Sequence, residues 1–179
     1  MEKKIENYSL MVYKLFKGKD QMADMKPENL VILHAAVGLA GECGEAMDAA
    51  CRDNIAETIK EFGDIEFYLE AFLQNVYTPD QYLQILTGIK PREQPGAGLL
   101  KPALELLDYV KKVAFYNKPI ELNVVTPLVR DIIAHLYFVY NICGFDREGI
   151  KLANMTKLLE RYPDGKFSND AAINRKDVK

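Results

Sequence analysis

The sequence predicts an all-α protein, a bundle of helices without a sheet. Apolar residues recur at helical spacing along almost the whole chain. The breaks between periodic segments coincide with helix-starting and helix-stopping residues, and no stretch alternates apolar with polar for the length of a strand. Ile5, Leu10, Met11, Tyr13, Leu15 and Phe16 make an amphipathic opening helix that ends near Gly18. Pro27-Glu28-Asn29 starts the next, since proline suits a first turn, and that helix runs to about Cys51. After Arg52-Asp53-Asn54, either Asp53 or Asn54 can cap a third helix that continues to about Val76. Thr78-Pro79-Asp80 opens a short helix through Ile85. Two prolines and two glycines between Lys90 and Gly98 mark the linker. Helices follow from about Leu99 to Tyr116, from about Val124 to Cys143 before Gly144, and from Arg147 to Arg161 before Pro163-Asp164-Gly165. The residues from Phe167 to Lys179 read as a polar, loosely packed tail.

At 179 residues the chain is one domain's worth and can bury a core. A net charge of −3 argues against a general nucleic-acid surface. No uninterrupted apolar run reaches the ~18 residues of a membrane span. The start, Met1-Glu2-Lys3-Lys4-Ile5-Glu6, lacks the apolar run of a secretory leader, so a cytoplasmic location is expected. Cys43, Cys51 and Cys143 are scattered and odd in number, which predicts reduced thiols and not a disulfide frame or a zinc site.

The chemistry concentrates between Leu39 and Leu69. Glu42 and Glu45 stand three residues apart, and so do Glu61 and Asp64. Residues at that spacing share one helix face, with Cβ atoms ~5–6 Å apart. The break at Arg52–Asn54 lets the second helix fold back on the first, bringing four carboxylates to one groove. Like charges at that density raise one another's pKa, and a hard divalent cation with oxygen ligands relieves them. The acids lie among apolar residues, beside Gly41, Gly44 and Gly63, which predicts close helix approach or room for a ligand.

These residues resemble the signature of the all-α nucleoside triphosphate pyrophosphatases, the MazG-like superfamily. Glu42-x-x-Glu45 and Glu61-x-x-Asp64 carry the resemblance, with Leu33 to Glu42 similar to that family's first long helix and Glu61 to Leu69 to its second. Asp108-Tyr109-Val110-Lys111-Lys112 and Phe115 to Pro119 look like the family's linker, and Asn154 to Phe167 resembles its closing segment. The similarity covers about residues 28–76 and 104–175. Where some members carry a further Glu, this chain has Gly41. The resemblance implies Mg²⁺-dependent attack of water on the α-phosphorus of a (deoxy)nucleoside triphosphate, giving monophosphate and pyrophosphate, in nucleotide-pool control. It implies Glu42, Glu45, Glu61 and Asp64 as ligands of Mg²⁺, or of Mn²⁺ in its place. Glu42 or Glu45 would also orient the water. Lys112, Lys157 and Arg161 are candidates for the β- and γ-phosphates; Lys157 and Arg161, at i and i+4, share a face. His34, Asn154 and Tyr162 are candidates for the nucleoside. His34 lies eleven residues before Glu45, about three helical turns, on the same face.

The second half echoes the first. Leu99–Asp108 aligns with Leu39–Asp48, and Leu128–Ile132 with Glu61–Ile65. Glu105 then matches Glu45 and Asp131 matches Asp64, whereas Pro102 replaces Glu42 and Leu128 replaces Glu61. The expected organisation is one all-α domain over 1–179. It comprises a metal-binding half (1–89), a degenerate half with the phosphate-binding closing helix (99–167) and a polar tail (168–179). Such a chain is a homo-oligomer, a dimer or more, or a monomer containing its own pseudo-dimer. Two other readings compete. A di-iron carboxylate bundle wants Glu-x-x-His, and neither His34 nor His135 stands three after a Glu. A non-catalytic helical nucleotide-binding or assembly protein is the other alternative.

Overall fold

Local capping chemistry sets where the helices begin and end. A computed structural model of the chain describes residues 11, 12, 15, 22–92 and 98–174. The expected opening helix, apart from Met11, Val12 and Leu15, and the middle of the linker lie outside these residues. We number the described helices α1 (Pro27–Cys51), α2 (Ile55–Val76), α3 (Pro79–Leu86), α4 (Leu100–Tyr116), α5 (Leu122–Cys143), α6 (Arg147–Arg161) and α7 (Asn169–Asn174). No strand occurs among the described residues.

Of the two candidate caps for α2, Asn54 is the cap: its side chain accepts from the Glu57 N–H at 3.2 Å. Asp53 makes the turn, at φ 54°, a left-handed conformation that short polar residues tolerate. Thr78 and Gln81 form a reciprocal capping box at the start of α3. Asp146 caps α6 by accepting from Gly149 N–H at 2.9 Å. Gly144, at φ 68°, closes α5 where glycine relieves the Cβ clash. The expected loose tail contains α7, whose start is held by Ser168 Oγ accepting from Ala171 N–H at 3.2 Å. None of the α7 residues is buried.

The helices α1 and α2 pack antiparallel along their length as a hairpin, and α4 and α5 pack on each other as a second one. The hairpins meet through α1 and α4, and α6 lies on α2. Leu39, Ile65, Phe72, Leu106, Ile132 and Leu136, drawn from all four hairpin helices, are inaccessible to solvent and form the shared core. Each contributes ~1.5–3 kcal/mol relative to an exposed side chain. By length and composition alone, α1 and α5 are long and apolar enough to cross a membrane, although neither holds an uninterrupted apolar run of that length. In the fold both contribute to this common core.

Two polar links tie distant segments. Glu66 is 3% exposed and takes a two-pronged contact from Arg147, Nε to Oε1 at 2.7 Å and NH2 to Oε2 at 2.8 Å. Tyr140 donates to Glu66 at 3.0 Å, and Arg147 donates to the Tyr137 hydroxyl at 3.0 Å. This network fixes the start of α6 against α2 and α5. Asn117 ends α4 at φ 50° and reaches the start of α1. Its Oδ1 accepts from Lys26 N–H at 3.2 Å, and its amide donates to Asp24 O at 2.8 Å.

Candidate functional site

The hairpin α1/α2 brings Glu42, Glu45 and Glu61 together: one carboxylate oxygen from each lies within 4.8 Å of the others. Glu42 and Glu45 project from adjacent turns of α1, and Glu61 comes from the facing turn of α2. Glu45 is exposed at the rim, Glu42 is half-buried and Glu61 is buried. Burial, then the charge of Asp64, a hydrogen bond with Glu61 and the charge of Glu45 push the Glu42 carboxyl up to about 8. Burial also raises Glu61, against a lowering contribution from Lys60. Lys60 Nζ is 3.1 Å from Glu61 and 2.7 Å from Glu57. Crowded carboxylates that resist ionisation are a donor set suited to a hard divalent cation.

Asp64, the fourth expected ligand, stands beside this trio but is turned to α6. Asn154 donates to its Oδ1 at 2.7 Å, and Lys157 Nζ binds both of its oxygens, at 2.6 Å to Oδ2 and closer still to Oδ1. Asn154 was expected at the nucleoside; its amide is instead committed to Asp64, because α6 crosses α2 at Gly63. A Cβ on Gly63 would lie 2.9 Å from Asn154 Cβ. The glycine that permits close approach in the motif is therefore Gly63. Gly41 and Gly44 face open space, with nothing within 4 Å of a Cβ.

Tyr68, one turn beyond Asp64, carries no signal in the acid motif but forms part of the wall. Its ring occupies the notch at Gly38, where a Cβ would meet it at 2.3 Å. Burial raises its phenol, the charges of Glu42 and Asp64 raise it further, and Arg161 lowers it. Tyr162 leans on Phe167 with ring centres 5.8 Å apart. The His34 ring meets Tyr68 edge-on at 5.9 Å, one ring away from the acids. Lys112, expected at the phosphates, is exposed on α4 and pairs with Asp108 at 2.5 Å.

In the second hairpin, Glu105 and Asp131 border one small pocket of about 120 Å³ together with Arg92, Lys101, Pro102 and His135. Arg92 binds Asp131, and Lys101 lies 3.8 Å from Glu105. His135 is 5% exposed and its Nδ1 donates to the Asp131 carbonyl at 2.8 Å. The chain was compared with protein-family models, curated proteins and solved structures, and none of them matches.

Proposed function

We propose that this chain is a Mg²⁺-dependent nucleoside triphosphate pyrophosphohydrolase of the all-α, MazG-like type. It would convert a (deoxy)nucleoside triphosphate to the monophosphate and pyrophosphate. The observation that carries the reading is the convergence of Glu42, Glu45 and Glu61 within 4.8 Å, with Lys157 and Asp64 alongside. The sequence resemblance supplies the reaction class.

In this reading Glu42, Glu45, Glu61 and Asp64 hold the cation. Bound Mg²⁺ supplies charge neutralisation for phosphate oxygens and a water of lowered pKa. The chain's own groups do the rest. Glu42 or Glu45 accepts the proton of the attacking water. Lys157 and Arg161, one turn apart on α6, attract the triphosphate: lysine as a point charge, arginine through a planar fork. Tyr68, seated in the notch at Gly38, walls the groove. Asn154 positions Asp64.

The test is a panel of ribo- and deoxynucleoside triphosphates with Mg²⁺, with products resolved by phosphorus NMR. Monophosphate plus pyrophosphate is expected. Diphosphate plus orthophosphate would move cleavage to the γ-phosphorus and end this assignment. Absence of turnover on the whole panel would favour a non-catalytic nucleotide-binding or assembly protein.

A further inference from the structure

Lys157 already neutralises Asp64, one of the four expected metal ligands. Its side chain is 16% exposed and that of Asp64 20%, so the pair is largely withdrawn from water. With Asn154 on Oδ1 and the ammonium on both oxygens, three of the roughly four lone-pair positions of the Asp64 carboxylate are taken. Asp64 accordingly lies outside the group of oxygens within 4.8 Å formed by Glu42, Glu45 and Glu61.

The two α6 donors differ in their freedom to leave. Asn154 is 8% exposed and wedged against Gly63. Lys157 reaches Asp64 through a long flexible stem, and Arg161 stands one turn further along α6. A dication drawing on Asp64 would meet an ammonium at contact distance, and like charges so placed repel.

Resting on the metal-dependent reading above, we propose that Lys157 is an exchangeable counter-ion of Asp64. It yields that carboxylate to the divalent cation and turns to the polyphosphate. Metal and nucleotide then favour each other's binding, because each removes the partner that opposes the other. Lys60 does not play this part: it shares itself between Glu57 and Glu61 on α2 and keeps an acidic partner when Glu61 is drawn away.

The experiment measures Mn²⁺ affinity without nucleotide, by the electron paramagnetic resonance signal of free Mn²⁺. The proteins are the unaltered chain, Lys157→Met and Lys157→Arg. Lys157→Met is expected to bind Mn²⁺ at least about fivefold more tightly, the lower end of ordinary site-to-site coupling, and Lys157→Arg to stay near the unaltered chain. Equal or weaker binding by Lys157→Met overturns the inference while leaving the metal site standing. No Mn²⁺ binding by the unaltered chain overturns the metal reading and this inference with it. A second readout needs no variant. Acetylation of Lys157, followed by mass spectrometry, is expected to rise on adding Mg²⁺, with exposed Lys111 and Lys112 as unchanged references. Constant labelling of Lys157 overturns the exchange.

Discussion

Two helical hairpins of this chain each turn carboxylates toward a groove, and they neutralise them differently. In α1/α2, Glu42, Glu45 and Glu61 crowd together and the Glu42 carboxyl is pushed up to about 8. In α4/α5, Glu105 and Asp131 face a pocket whose own Lys101 and Arg92 balance them. Pro102 and Leu128 stand where the first hairpin has Glu42 and Glu61. The difference teaches what makes an acidic cluster a candidate metal centre. It is an excess of carboxylates over internal cations, at a place where burial raises Glu42 and Glu61 and neighbouring charge raises Glu42 further.

The largest expected effect tests the clamp by which Arg147 of α6 holds Glu66 of the first hairpin and Tyr137 of the second. Arg147→Met leaves Glu66 buried without its partner. It should lower stability by ~3–5 kcal/mol, read from urea unfolding. A loss below ~1 kcal/mol would mean α6 is held by other contacts. Next, Glu45→Gln should cut turnover at least ~10²-fold, the scale of removing a key electrostatic group, whereas Glu105→Gln leaves it nearly intact. Equal losses would erase the distinction between the hairpins.

A subtler effect is in pH. The Glu42 carboxyl, ordinarily at 4.5 and here pushed up to about 8, binds its proton more tightly folded than unfolded. With a chelator present, the melting temperature should therefore fall as pH rises from about 4.5 to 8. Excess Mg²⁺ should flatten that slope, and so should Glu42→Gln. A slope indifferent to both would put the proton elsewhere. The smallest effect is in the second hairpin. Lys101 and Glu105 are exposed and 3.8 Å apart, so Lys101→Met should change stability by under ~1 kcal/mol in the same unfolding assay.

The helices were legible because their signals are local. Pro27, Asn54, Thr78, Gly144 and the acid spacing each act within a turn or two of where they stand. What escaped is long-range. Nothing in the sequence around Glu66 marks it as buried; Arg147, eighty-one residues on, is the partner that explains its burial. Asn154 and Lys157 meet Asp64 across ninety and ninety-three residues, and periodicity within a helix does not say which neighbour its polar face meets. Tyr68 was missed because its partner is an absence, the missing side chain of Gly38. The helix α7 was missed because Ser168, its cap, follows a polar stretch with no apolar face to announce a helix.

Asn117 changes the meaning of the division into halves. The helix α1 has no side-chain cap from its own N-cap residue, Lys26. The backbone N–H of Lys26 is satisfied by Asn117, at the far end of the other hairpin's first helix. That carboxamide also grips the carbonyl of Asp24, so the chain's path into α1 is set by a residue more than ninety positions later. The entry to the helix bearing Glu42 and Glu45 is thus hydrogen-bonded to the second hairpin. The line drawn near residues 90–98 separates two stretches of similar pattern, but it does not separate two units of cooperativity. The two stretches share one core, and Asn117 ties the end of one to the start of the other.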